Sequence, residues 1–185
     1  MNIFEHVQSY KSKLGQELRD IASAEGNKDE RSKRLIMRTA LICGTLAVIN
    51  PLPLGDFFVL TPLQGLMVVN LGRVHGFEIS EERAKEIIGE LLMTVGWAFL
   101  AKHTIIGLYK TFLPFAGGLF SFPLVFGFTY ALGQLANHYF ELKARGERPD
   151  RELFRRLWSE AMKEGKELGQ KMRPGREDGP VTNKG

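Results

Sequence analysis

Apolar positions along this chain recur at helical spacing and nowhere alternate long enough to mark a strand, which predicts an all-α fold, a bundle of helices. Ile3, Phe4, Val7, Tyr10, Leu14, Leu18 and Ile21 share one helical face with charges opposite, predicting an amphipathic helix over 3–24. Glu25-Gly26-Asn27-Lys28 breaks it. A second helix is expected to begin near Asp29 or Ser32 and to run apolar from Leu35 to Ile49, where Asn50-Pro51-Leu52-Pro53 stops it. Asp56 reads as the cap of a short turn, and Thr61-Pro62-Leu63-Gln64 as a capping box with proline at the first helical position. That helix should end near Gly76. Ser80-Glu81-Glu82 has the cap and acidic first turn of another, expected to pass Ile87, Leu91 and Val95 toward Leu108. Thr111 to Gly118 interrupts the pattern, and a helix follows through about Ala144. Arg148-Pro149-Asp150 introduces a last helix with Leu153, Phe154, Leu157, Trp158, Ala161 and Met162 on one side. The tail from Arg173 has the composition of a disordered segment.

The pattern also changes in kind along the chain. Residues 39–140 hold only 11 of the 46 charged residues but 11 of the 13 phenylalanines. Three stretches lack Asp, Glu, Lys and Arg altogether: Thr39–Gly55, Phe57–Gly72 and Thr111–Phe140. A bilayer span needs roughly 20 mainly apolar residues, which the last stretch supplies and the first two approach. The run from Phe112 to Gly133 places phenylalanine on every helical face, where a surface helix would show a polar side. Two hydrophobic hairpin or transmembrane regions are therefore expected, at Leu35–Leu60 and Phe112–Ala136. They would sit in a membrane-associated domain over 35–142, with an amphipathic arm at 1–34, an amphipathic helix at 143–172 and a tail at 173–185. The same runs would otherwise form the core of a soluble helical domain.

Charge then sets orientation and excludes several functions. Arg31, Lys33, Arg34 and Arg38 precede the first run, and Lys143, Arg145, Arg148 and Arg151 follow the second, which places both termini on the cytoplasmic side of a cytoplasmic membrane. The first 38 residues are too charged to hold a cleavable signal peptide. A chain of 185 residues with net charge +4 suits one domain, and its bases alternate with acids, so no nucleic-acid surface is expected. Cys43 stands alone in an apolar run, which rules out a disulfide framework or thiolate zinc site and makes it a buried, inert thiol. His6, His75, His103 and His138 lack metal-ligand spacing, and no glycine-rich phosphate loop occurs. No catalytic residue, cofactor or metal is expected, and the chain does not read as an enzyme. Arg38 and Asp56 stand out as ionisable groups within or between apolar runs. Gly127 and Ala131 form a small-residue pair suited to close helix approach.

Two ordered signatures carry a family resemblance. Pro51-Leu52-Pro53-Leu54-Gly55-Asp56, followed by Leu60, Gln64, Met67 and Gly76, resembles the first signature of the bacterial family called domain of unknown function 697. Leu113-Pro114-Phe115-Ala116-Gly117, followed by Thr129 to Phe140 with Gly133 and Tyr139, resembles the second, so the likeness covers about 35–142. It implies a GTPase-associated, membrane-associated protein. Members often follow a GTPase domain that these residues do not encode, which implies a GTPase supplied in trans. Only motif positions carry over: Pro51, Pro53, Asp56, Gln64, Gly76, Pro114, Gly117, Gly133 and Tyr139. The expected function is a non-enzymatic membrane anchor, adaptor or effector, with the lipid bilayer, a partner protein and a second copy of the chain as candidate partners. The alternatives are a transport or pore module whose Arg38, Asp56, Gln64 and Asn70 line a polar path, and a soluble helical interaction domain.

Overall fold

A computed structural model describes the backbone over 3–49, 55–96 and 117–173. Among the described residues the chain is all-helical: α1 (Ile3–Ser23), α2 (Lys28–Ile49), α3 (Gly55–Val74), α4 (Glu81–Val95), α5 (Gly117–Ala144) and α6 (Arg151–Met172), with no strand. Local chemistry sets most of the boundaries. Asn27 Oδ1 accepts from the Asp29 N–H at 3.0 Å, Ser80 Oγ from Arg83 N–H at 3.2 Å, and Asp150 Oδ2 from Leu153 N–H at 2.8 Å, each satisfying an otherwise orphaned helix donor. At the end of α3, Gly76 has φ +86°; Phe77 N–H donates to Gly72 O and Gly76 N–H to Arg73 O, closing the helix with a left-handed residue. The same pair of bonds closes α5 around Gly146.

Two sequence expectations fail, one at a proline and one at a glycine. The Thr61-Pro62 step does not start a helix: α3 begins at Gly55 and carries Pro62 in its interior, as α5 carries Pro123. Each proline removes one rung of the backbone ladder. Burial of Leu60, Leu63, Phe122 and Phe126 around them outweighs that loss. The helix expected to pass Val95 toward Leu108 instead ends at Val95, where Gly96 turns to φ +94°. The Pro51, Pro53 and Pro114 positions, the tail after Arg173 and the Thr111–Ala116 part of the interruption lie outside the described residues.

α5 is the axis of the bundle. It pairs most extensively with α6 and α2, and also meets α3 and α4. From Phe122 to Leu142 none of its residues is exposed. α2 runs antiparallel to it, Gly44 lying at Phe122 and Ile36 at Gly133. α6 is antiparallel as well, Gly169 lying at Pro123 and Gly165 at Gly127. α3 runs parallel, with Gln64 at Thr129 and Gly72 at Phe140. This topology collects the turns at 24–27, 75–80 and 145–150 at one end, which is charged. The start of α3 at Gly55, the end of α2 at Ile49 and the start of α5 at Gly117 lie at the other.

Among the described residues no helix is long and apolar enough to cross a membrane. The spanning regions expected at 35–60 and 112–136 are therefore not found there, and the physical reason is visible in each helix. The first half of α2 is charged as far as Arg38, which leaves Thr39–Ile49, about 16 Å of rise, apolar. α3 contains Asp56, Gln64, Asn70 and Arg73, and α5 turns polar from Gln134 onward. The phenylalanines on several faces of α5 meet protein: Phe122, Phe126 and Tyr130 stack in a ladder with centroids 5.9 and 6.4 Å apart, and Phe128 meets Trp158 edge-on at 5.2 Å.

The crossing of α5 and α6 depends on glycine. A methyl on Gly165 would lie 2.9 Å from Gly127 Cα and 3.0 Å from Tyr130 Cβ, and one on Gly169 would lie 2.9 Å from Pro123 Cα. These are backbone collisions, so the helices must part. Gly165→Leu is expected to lower unfolding free energy by about 3 kcal/mol in urea titrations. Gly89→Ala, on an exposed face of α4 with open space around it, should raise it by about 1 kcal/mol.

Candidate functional site

The positions singled out by sequence divide among three places. Gln64 is buried and donates through Nε2 to Thr129 Oγ1 at 3.1 Å, tying α3 to α5. Thr129 also hydrogen-bonds the Cys43 thiol of α2, so one hydroxyl joins three helices. Burial pushes the Cys43 thiol up to about 12 despite that hydrogen bond. It is fully buried and far from nucleophilic at neutral pH. Gly133 lies where a methyl would come within 2.8 Å of Ile36 Cγ1 and 3.1 Å of Met67 Sδ, so its role is to admit α2 and α3 to α5. Asp56 is the second residue of α3 and Gly117 the first of α5; the Asp56 side chain lies outside the described ones.

A polar chain that sequence reasoning missed crosses the charged end. His75 Nε2 donates to Asn137 Oδ1 at 2.8 Å, Asn137 Nδ2 donates to Glu141 Oε1 at 2.6 Å, and His138 Nδ1 donates to Glu141 Oε2 at 3.2 Å. Asn137, His138 and Glu141 share a helix face at three- and four-residue spacing, which is legible; His75 comes from the turn after α3, 62 residues earlier, which is not. Beside this chain, Tyr139 packs edge-on against Phe140, and the Lys143 ammonium lies 5.1 Å over Phe77 and 5.8 Å over Tyr139. His138 Nε2 and Trp158 Nε1 are buried and find no hydrogen-bond partner among the described residues. Where α5 meets α6, burial foremost and then the Glu164 carboxylate raise the Tyr130 phenol, while burial lowers Lys166.

Arg38 is neither buried nor alone. Its guanidinium holds Glu17 of α1 with Nε–Oε1 at 2.6 Å and Nη2–Oε2 at 3.3 Å, a two-point grip between exposed side chains. Asn70 donates to Leu66 O in its own helix and accepts from Arg73. Of the four residues expected to line a polar path, Arg38, Gln64 and Asn70 face α1, α5 and α3 itself, and the Asp56 side chain lies outside the described ones. Below the Arg38–Glu17 pair lies a cleft of about 360 Å³ between α1, α2 and α3, with Leu14, Leu41, Ile42, Thr45, Leu46 and Leu63 as its walls and Lys13, Glu17 and Arg38 at its mouth. Sequence reasoning noted Arg38 but gave no sign of the cleft, because Glu17 and Arg38 are 21 residues apart.

Comparison with known proteins gives one family. The model described as Domain of unknown function (DUF697) matches residues 10–113, beginning earlier than the resemblance read from the two signatures and ending where the second begins. No curated protein and no solved structure matches the chain.

Two outcomes follow from the buried polar groups. Gln64→Leu and Thr129→Val should each cost about 1–3 kcal/mol in urea titrations, and the double variant should cost less than their sum, because a lone buried polar group is worse than none. For Cys43, a raised folded value means stability that is complete below the unfolded value near 9 and is lost as pH rises toward 12. Denaturation at pH 8, 9 and 10 should show the wild type losing about 1.4 kcal/mol more than Cys43→Ala by pH 10.

Proposed function

The chain belongs to the DUF697 family, and from that premise we propose a non-enzymatic helical adaptor that attaches to a lipid bilayer by one face and one end of its bundle and offers the opposite face to a protein partner. The observation that carries this reading is the sidedness of the surface. Along α2 no residue from Thr39 to Val48 is fully exposed, and those that reach solvent in part are mostly apolar: Leu41, Ile42, Leu46 and Val48. Along α6, Arg151, Glu152, Arg156, Glu160, Lys163, Glu164, Glu167 and Lys171 are exposed for the full length of the helix. α6 packs on α5 and α4 and only grazes α2, so the charged stripe and the apolar face look in different directions.

The dimensions suit shallow attachment rather than spanning. From Arg38 to Ile49 the helix rises about 16 Å, roughly half of a 30 Å hydrocarbon core. With the apolar end pointing inward, Arg38 would stand at headgroup level, where its charge stays hydrated. α1, amphipathic and bound to α2 through Glu17, would lie along the interface. The membrane is the bacterial cytoplasmic one, and both charged arms face the cytoplasm. The charged face of α4 and α6 would meet the partner, a GTPase supplied in trans on the implication of the family resemblance; a second copy of the chain is another candidate. Interior polar groups bonded to one another across helices support an architectural rather than catalytic interior.

A second reading is favoured by the covering of α5: a helix apolar on every side is enclosed by protein from Phe122 to Leu142, as in a bundle that never meets lipid. Fractionation and vesicle flotation decide between the two. The full chain should float with vesicles containing phosphatidylglycerol and stay with membranes after salt washes. Val48→Glu should weaken vesicle partitioning about 30- to 150-fold, since a charge within the apolar layer costs roughly 2–3 kcal/mol, whereas Glu160→Lys on α6 should leave it unchanged. A wild-type protein that remains monodisperse without detergent and never floats would establish the second reading.

A further inference from the structure

The cleft between α1, α2 and α3 is the volume to account for on this side of the bundle. Among the described residues its walls are aliphatic apart from Thr45, whose hydroxyl is already donated to Leu41 O at 2.8 Å. About 360 Å³ is far larger than a packing defect and lies at the lower end of the roughly 300–1,000 Å³ range of ligand pockets. Charge is confined to its mouth. There Arg38 is committed to Glu17, while Lys13, one helical turn before Glu17, is exposed and forms no ion pair among the described residues. The mouth thus carries two cations and one carboxylate, a net positive charge above an apolar slot.

The slot also has a direction. Arg38 and Glu17 stand on the side of the charged end, and the walls continue through Leu41, Ile42, Thr45 and Leu46 along α2 toward the apolar end. An amphiphile with its anionic group at Lys13 and Arg38 would run its tail the same way that a lipid of the adjoining leaflet runs.

We propose that this cleft binds one acyl chain of an anionic phospholipid, with the phosphate held by Lys13 and the Arg38 guanidinium and the chain lying against Leu41, Ile42 and Leu46. The assignment rests on the membrane-attachment reading for its source of ligand and adds a specific site to it. Arg38 remains paired with Glu17 and offers the phosphate a remaining N–H, so the arginine bridges carboxylate and phosphate. Thr45 is where the slot can be blocked: a phenyl ring there fills the space between α1 and α2 without touching the rim charges.

The test uses the full chain and a dioctanoyl phosphatidylglycerol carrying a terminal diazirine, held below its micelle concentration so that no bilayer is needed. Photolysis followed by peptide mass spectrometry should place the adduct on the α2 peptide containing Leu41 to Leu46. Thr45→Phe should reduce that adduct at least about tenfold, and Lys13→Gln with Arg38→Gln several-fold, while both proteins keep the wild-type circular dichroism spectrum. An adduct spread over other peptides, or one insensitive to Thr45→Phe, overturns the site. Equal labelling by the phosphatidylcholine analogue overturns the anionic preference, and displacement by laurate at lower concentration than by phosphatidylglycerol makes a free fatty acid the occupant and overturns the phospholipid. Vesicle flotation of Thr45→Phe, read in parallel, separates the two proposals. Flotation lost in the wild type with the cleft adduct intact sinks membrane attachment alone; flotation intact with no adduct sinks the cleft alone.

Discussion

The close approach of α6 to α5 through Gly127, Gly165 and Gly169 is the constraint on which the rest of the bundle depends. A glycine within a helix costs about 1 kcal/mol relative to alanine, and three at one crossing would be a poor choice for an isolated helix. They are retained because α5 presents large rings. Phe126 and Tyr130 rest against the furrow formed by Gly169 and Gly165, and Phe122 reaches across to Gly44 of α2. Removing the β-carbon on one helix is what lets a ring on the other sit against backbone, and the contacts so gained extend over a whole ring face. Gly133 repeats the device toward Ile36 and Met67. With a side chain at any of these positions α5 would stand away from its neighbours and leave its rings in voids.

Once α5 is enclosed, its polar groups have to be satisfied by protein. Thr129 answers Gln64 and Cys43, and Asn137 answers His75 and Glu141. These bonds select register as well as satisfying buried groups. A shift of α3 by one turn along α5 would separate Gln64 from Thr129 and His75 from Asn137 together, so the two contacts pin the parallel pair at its middle and at its charged end. With the interior fixed in this way, differences in function fall to the outer faces, where α2 is apolar and α6 is charged.

Local signals were legible in the sequence and long-range ones were not. Ser80 and Asp150 cap the helices assigned to them, Gly76 ends α3, and Phe154, Trp158, Ala161 and Met162 are the buried side of α6, because each depends on residues within a few positions. Pro62 misled, since a proline at a helix start and one inside a helix share a local sequence, and burial of Leu60 and Leu63 decides between them. Arg38 read as a lone charge near lipid because Glu17 comes from another helix. The family signatures were legible as a pattern, but that Gln64 of the first meets Thr129 of the second follows only from the parallel run of α3 and α5. Asp56 was legible as a polar residue between two apolar runs, and its side chain lies outside the described ones.

The hardest distinction in such a chain is whether a helix apolar on every face is surrounded by lipid or by protein. Phenylalanine content cannot decide, because a ring is equally apolar against acyl chains or against Trp158. The spacing of small residues is more informative. Gly127 and Ala131 alone occur by chance, but Gly127 faces Gly165 on a second helix, with Pro123 opposite Gly169 extending the series by another turn. Lipid deforms around any side chain and exerts no demand for small residues at matched intervals, whereas a helical neighbour at contact distance does. Two series that match in antiparallel register therefore identify the face of α5 occupied by α6. They leave the aliphatic face of α2, formed by Leu41, Ile42, Leu46 and Val48 and holding no small-residue series, as the surface for a neighbour that can deform.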